Sequence, residues 1–331
     1  MILNLSSGTP QIISALFALN RINDYNTQAI QVATPNKSAN RKYMPLSSEC
    51  EQKLFDENED NQKDYEDRTI KDEAEKFNHS LIKRHLRNLI SSYDYLAAEE
   101  LVTRKEYNKL LSKKKLARLR DILNDFVKVF KTQAILKDIQ GYSLTEVEKK
   151  ALNYFLMIEV LKERGQVADV LIKSKSYVEF IIEEKIKKDY PDLIKYDGTF
   201  PKLNEEYKDF EAILDFIDIE FKKAKGIKDE KERIYSPQST LNLLSYENIL
   251  SYYQVSPELL KSIKLINSLN GERNKVAHGL SEIDNKLVNS KKLQQTIDTL
   301  RFILQDTFEI DDSYLSCYQT LNNEMLDLLR Q

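Results

Sequence analysis

Glycine and proline are scarce: seven of each in 331 residues, about 2% apiece, against usual shares of roughly 7% and 5%. Sandwiches, barrels and propellers reverse the chain every few residues and draw on both types at their turns. A chain this poor in them is built from long elements and few tight turns, so the fold class is mainly α. The charge pattern agrees. Charged residues make up 31% and hydrophobic residues 41%, the balance of long amphipathic helices with solvated outer faces. Fifty Lys and Arg against 53 Asp and Glu leave a net charge of −3. That total does not advertise nucleic-acid binding, although a local basic patch would not show in it. No stretch approaches the ~20 apolar residues of a membrane span. The start, Met1-Ile2-Leu3-Asn4-Leu5, lacks the basic region of a signal peptide. Cys50 and Cys317 are too few and too far apart for a disulfide framework or a zinc site. The chain therefore reads as cytoplasmic, with no membrane partner, no metal and no cofactor.

The first 35 residues depart from the helical pattern. Ile2–Leu5 is a short apolar run ending in Ser6-Ser7-Gly8-Thr9-Pro10-Gln11. Ile12, Ile13, Leu16, Phe17 and Leu19 follow at helical spacing, and Ala29–Ala33 is a second strand candidate. Strand, tight turn, helix and strand make one βαβ unit. Parallel strands are normally buried on both faces, so one unit alone expects companions, and the chain reads as beginning partway through an α/β domain. Residues 36–76 are a polar transition. From Glu51 to Lys76 eleven acids face five bases, which fits a connecting loop and a charged helix start.

From Leu81 onward everything reads as helix. Residues 109–137 carry nine Lys and Arg against two Asp, interleaved with Leu116, Leu119, Ile122, Leu123, Phe126 and Phe130. An amphipathic helix with a basic outer face accounts for this; RNA contact along that face is the alternative. Gly141-Tyr142-Ser143 breaks the pattern, and Ser143-x-x-Glu146 has the form of a capping box, which sets a domain boundary near 140. Ala151–Leu161, Val178–Ile186 and Phe210–Phe221 are helical runs, with a loop at Asp189–Asn204 between the last two. Ser256-Pro257-Glu258 places a cap and an N1 proline ahead of Leu260, Ile263, Ile266 and Leu269. With the runs around Leu293–Leu304 and Leu321–Leu328, the C-terminal half is a bundle of five or six helices.

Three histidines are candidates for chemistry. His79 and His85 lie among Lys83, Arg84 and Arg87 on a charged helix and read as surface residues. His278 differs: it ends Arg273-Asn274-Lys275-Val276-Ala277-His278, after a helix and bracketed by Gly271 and Gly279. An imidazole with a pKa near ~6.5 moves protons at neutral pH. A guanidinium stays charged and grips a phosphate that gains charge in the transition state. Together they suffice for RNA cleavage without a metal. Five residues along a continuous helix turn the two side chains about 140° apart. Either the backbone departs from helix between the glycines, or two copies of the pair meet across a symmetric dimer. The spacing alone is common by chance; the Asn directly after the Arg and the helical context add to it.

Arg273-Asn274-x-x-x-His278 in a C-terminal helical domain resembles the HEPN ribonuclease motif. Leu3–Gln11 is similar to the strand-to-helix turn of a CARF domain, the Rossmann-like sensor of cyclic oligoadenylate, and Tyr93–Ala98 to the helical spacer between the two. Along essentially the whole chain, the sequence resembles the Csm-type CARF–HEPN ribonucleases of type III-A CRISPR antiviral defence. The resemblance implies residues 1–45 as a C-terminal remnant of the sensor, 46–140 as the spacer and 141–331 as the HEPN bundle. It implies Arg273 and His278 as the catalytic pair and Asn274 as their polar companion. Single-stranded RNA is the implied substrate, a homodimer the implied assembly and cyclic oligoadenylate the implied allosteric activator, facing Ser6, Ser7, Gly8, Thr9, Pro10 and Gln11. Backbone N–H groups at a helix start suit a phosphate or ribose, while Ser-Ser-Gly-Thr-Pro equally fits a plain helix cap. The family's early sensor segments have no counterpart here, so weak basal cleavage with little stimulation is expected of these residues alone. A helical dimer that holds RNA or a protein without cutting, and an inactive relic, are the rival readings.

Overall fold

The computed structural model describes residues 2–6, 9–22, 28–32, 52, 56, 63, 67, 69–71, 74–227, 233–269, 271, 274 and 291–330. The chain divides into two compact units, Met1–His85 and Leu86–Gln331.

The first unit opens with the expected βαβ: β1 (Ile2–Asn4), α1 (Pro10–Ile22) and β2 (Gln28–Val32). β1 and β2 are parallel, with Ile2 opposite Gln28 and Asn4 opposite Ile30. The Leu5 N–H donates to the Ile30 carbonyl at 2.8 Å and extends the ladder by one step. A third strand, β3 (Thr69–Lys71), pairs antiparallel with β2 and completes the sheet order β1-β2-β3. Its start is held by Asp67, whose carboxylate accepts from the Thr69 N–H at 2.9 Å. This strand lies in the acid-rich stretch that the sequence assigns to a connecting loop. Three residues are too few for an alternating pattern to register, so only pairing reveals it. The unit thus reaches past residue 45, the end expected for the sensor.

α2 (Ala74–Ser91) runs across the division between the units and buries Leu86 and Ile90 in the second. There follow α3 (Tyr95–Thr103), α4 (Lys113–Thr132), the short α5 (Lys137–Gln140), α6 (Glu146–Glu163) and α7 (Val167–Asp189). A hairpin of β4 (Ile194–Asp197) and β5 (Phe200–Leu203) leads to α8 (Phe210–Lys225), α9 (Leu243–Tyr252) and α10 (Pro257–Ser268). α11 (Lys291–Phe308), the short α12 (Asp312–Leu315) and α13 (Cys317–Arg330) close the chain.

α6 and α7 form the central antiparallel pair. Gly165 turns the chain between them at φ +69°, where a side chain would be strained. The Gly165 N–H donates to the Lys162 carbonyl and the Gln166 N–H to the Leu161 carbonyl, both at 2.9 Å, the paired bonds of a Schellman ending. The spacer helices share this core. Tyr95 of α3 stacks on Phe126 of α4 with ring centroids 4.2 Å apart, and Phe126 meets Tyr318 of α13 edge-on at 5.0 Å. Buried Asn153 of α6 joins the parts: its Oδ1 accepts from the Leu136 N–H at 3.1 Å and the Tyr318 hydroxyl at 3.0 Å. Its Nδ2 donates to the Ala134 carbonyl at 3.1 Å. The boundary expected near 140 is therefore a turn inside one packed body.

Two local readings are corrected. The capping box of α6 is Thr145 with Glu148, not Ser143 with Glu146: Thr145 Oγ1 accepts from the Glu148 N–H at 3.3 Å and Glu148 Oε2 from the Thr145 N–H at 2.7 Å. The later register keeps both glutamates in the first turn, where the helix dipole favours them. Asp189–Asn204 is not all loop. Tyr196 pairs with Pro201 and Asp197 with Phe200 across a two-residue turn at Gly198-Thr199, with Gly198 at φ +61°. Asp-Gly between aromatic and aliphatic residues is the hairpin signal.

Candidate active site and candidate ligand turn

The Arg273–His278 segment lies between two helices that are fixed in the core. α10 buries Leu259, Ile263 and Ile266 along one face, and α11 buries Leu293, Ile297, Leu300, Ile303 and Leu304. The two pack on each other and both pack on α7; α11 also packs on α6. Arg301 of α11 binds Glu159 of α6 at 2.7 Å and lies over the Phe155 ring at 5.9 Å. Burial pushes the Glu159 carboxyl above its ordinary value, against the pull of Arg301.

Of the motif itself, Asn274 is described: its backbone is helical and its side chain exposed. Gly271 is also helical and exposed, without positive φ, and a Cβ there would meet nothing within 4 Å. The backbone has therefore not left the helix at either position. Arg273 and His278 lie outside the described residues. His79 is half-buried and His85 exposed on α2.

One carboxylate close to this segment escapes sequence reasoning. Glu247 of α9 is only 8% exposed, and its Oε2 accepts from Asn267 Nδ2 in the last turn of α10 at 3.2 Å. Burial raises its carboxyl above the ordinary value, while Asn267 and Lys264 pull it down and Glu220 pushes it up. In sequence it stands in an apolar run, Leu243–Leu250, with no pattern to mark it.

In the first unit, Thr9 and Pro10 start α1. Thr9 Oγ1 accepts from the Ile12 N–H at 3.4 Å and its carbonyl from the Ile13 N–H at 3.0 Å, with Pro10 as the first helical residue. The Ser6 N–H donates to Asn4 Oδ1 at 2.8 Å, and the Ser6 hydroxyl accepts from the Val32 N–H at the end of β2. Ser6, Thr9, Pro10 and Gln11 are all exposed at the carboxyl end of β1. Ser7 and Gly8 lie outside the described residues.

The basic stretch of 109–137 is partly spent within the fold. Arg118 grips Glu324 of α13 through two hydrogen bonds, 2.7 and 2.8 Å, and Arg120 donates to the Val102 carbonyl and Asn108 Oδ1. Lys137 Nζ binds Asp121 at 2.6 Å. Among the described residues, no three His, Cys, Asp or Glu side chains are grouped to hold a metal ion. No described helix is long and apolar enough to cross a membrane.

A sheet unit begun by a parallel βαβ, ahead of a helical body that carries an Arg-Asn-x-x-x-His segment between two packed helices, defines a protein of the CARF–HEPN class. Comparison with known proteins agrees in both parts. Residues 139–326 match the Cas_Csm6 HEPN domain model, and residues 1–69 match the Cas_Csm6 CARF domain model, which reaches the start of β3. The chain is 60% identical over 329 residues to the CRISPR system endoribonuclease Csm6 of Streptococcus thermophilus, covering 99% of this chain and 77% of that protein. It is 33% identical to Csm6′ of the same species, over 99% of this chain and 74% of the relative. The solved structure of Enterococcus italicus Csm6 bound to cyclic hexa-2′-fluoro-hexa-dAMP superposes with a TM-score of 0.75 at 25% identity, covering 99% of this chain and 74% of that one. The chain belongs to the Csm6 family of CRISPR endoribonucleases.

Proposed function

We propose that this protein cuts single-stranded RNA without a metal ion, using Arg273 and His278 with Asn274 as their polar companion. The observation that carries the reading is the HEPN match over 139–326, which brackets Arg273-Asn274-x-x-x-His278 between the core-packed helices α10 and α11. In the step itself the 2′-oxygen attacks phosphorus and forms a 2′,3′-cyclic phosphate while the bond to the 5′-oxygen breaks. One His278 imidazole takes the 2′-hydroxyl proton, and the His278 imidazolium of a second copy gives a proton to the leaving 5′-oxygen. Arg273 holds the charge that gathers on the phosphoryl oxygens. Helical backbone at Gly271 and Asn274 supports two copies lining one cleft, because a helix turns Arg273 and His278 of one copy apart.

The activator in this reading is a cyclic oligoadenylate, held at the Ser6–Gln11 turn where exposed backbone at the start of α1 meets the carboxyl end of β1. The Enterococcus relative, bound to a cyclic hexanucleotide analogue, supports this chemistry. Cleavage of a fluorogenic single-stranded RNA in excess EDTA, with and without cyclic hexa-adenylate, tests the whole. Undiminished cleavage leaving 5′-hydroxyl ends is expected; activity that needs Mg²⁺ or Mn²⁺ restored refutes the mechanism.

A further inference from the structure

A buried carboxylate is an expensive residue to keep in an apolar helix unless it is held by partners. α9 buries Leu243, Tyr246, Ile249 and Leu250 beside Glu247, so an apolar residue would sit there at less cost. What Glu247 does is reach the next helix: it accepts from Asn267 at 3.2 Å. Asn267 stands two residues before Leu269, the C-cap of α10, and six before Arg273. Helix ends fray because their last carbonyls lack partners. A side-chain tie in the last turn fixes the direction in which the chain leaves.

The other end of the tie is firmly anchored. The first N–H of α9, from Leu243, donates to Glu179 of α7 at 3.1 Å. The Asn242 side chain caps the helix by accepting from the Leu244 and Ser245 N–H groups. One turn on, the Tyr246 hydroxyl donates to Glu183 of α7 at 2.6 Å. A continuous set of hydrogen bonds therefore runs from α7 through α9 to the last turn of α10. We propose that Glu247, through Asn267, is a positioning residue that fixes the exit of α10 and with it the placement of Arg273 and His278. This rests on the assignment of Arg273 and His278 as the catalytic pair.

A displacement of about 1 Å in a catalytic group costs on the order of 10²-fold in rate, so the signature is a loss in kcat. Glu247→Ala and Asn267→Ala should each lower kcat at least ~10-fold with KM within ~2-fold of wild type. Glu247→Gln keeps an acceptor oxygen at the same reach and should stay within ~3-fold. The Glu247→Ala/Asn267→Ala double variant should be no slower than the slower single variant, because both remove one tie. Melting curves run alongside; if Glu247→Ala fails to fold, Glu247→Met fills the volume without the acceptor and takes its place. Wild-type kcat in the Glu247 variant, or a loss in Glu247→Gln as large as in Glu247→Ala, overturns the proposal. Arg273→Ala in the same assay separates the failures: if it keeps full activity, the catalytic assignment itself is wrong. If it is dead while Glu247→Ala is not, only the positioning role falls.

Discussion

α1 and α6 are both rich in apolar residues, yet they stand in opposite circumstances. α6 is buried nearly all round from Ala151 to Leu161. α1 leaves Ile12 52%, Phe17 41% and Leu19 40% exposed, and the strands beside it leave Ile2 and Ile70 more than half exposed. In the first unit, Leu5 and Ala29 are the apolar side chains that reach the core among the described residues. Burial of apolar surface supplies most of the driving force for folding, so order in the two units has different sources. The helical body holds itself together; the sheet unit relies on backbone pairing and a few short side-chain bonds such as Ser6 to Val32 and Asp67 to Thr69. A catalytic segment needs rigid support, and it lies in the unit that has a core.

The largest expected effect follows directly. Amide exchange should be slower in α6 and α7 than in α1 by at least about 10³-fold, since local opening spans the range from near zero to the global stability. Hydrogen exchange read by mass spectrometry decides this, and equal protection would erase the contrast. Next comes Asn153, the polar junction of the helical body. Asn153→Ala strands the buried Leu136 N–H and should cost about 2–4 kcal/mol, seen as a lower melting temperature of the helical unit with exchange in α1 unchanged. A shift in both units together would mean that they fold as one.

The legibility of the sequence follows the same division. Helices that bury a stripe of four or five apolar residues, such as α4, α10 and α11, were readable from spacing because burial imposes the 3.6-residue period. The capping box slipped by two residues because Ser143-x-x-Glu146 and Thr145-x-x-Glu148 overlap, and only the helix start distinguishes them. β3 and the β4–β5 hairpin are too short to carry a period, and Pro201 within β5 argued against a strand. At the site, Arg273, Asn274 and His278 were legible as residue types with a known chemistry. Glu247 was not, because a glutamate in an apolar helix looks like a solvent-facing position until the fold buries it.

A smaller effect should appear on acidification. Glu183 of α7 joins the hairpin and α9: Lys187 Nζ lies 2.7 Å away, and the Tyr196 and Tyr246 hydroxyls both donate to it. Burial pushes its carboxyl up, but these partners together hold it below the ordinary value. Its contribution to stability is therefore fully present above the unfolded-state pKa and is lost as pH falls through the lower folded value. Glu183→Gln should be less stable than wild type at pH 7, and the gap should close in strong acid. A gap that stays constant down to pH 2 would mean that the charge contributes nothing.

The central claim is that the cleaving chemistry belongs to the segment between α10 and α11. Single-turnover cleavage of a fluorogenic single-stranded RNA by the full chain in excess EDTA, with wild type and His278→Ala compared at matched melting temperature, tests it most directly. The account predicts a rate at least ~10²-fold lower in His278→Ala with the fold and the oligomeric state intact. Cleavage by His278→Ala at the wild-type rate would contradict it, and so would a loss of activity that only tracks a loss of the folded protein.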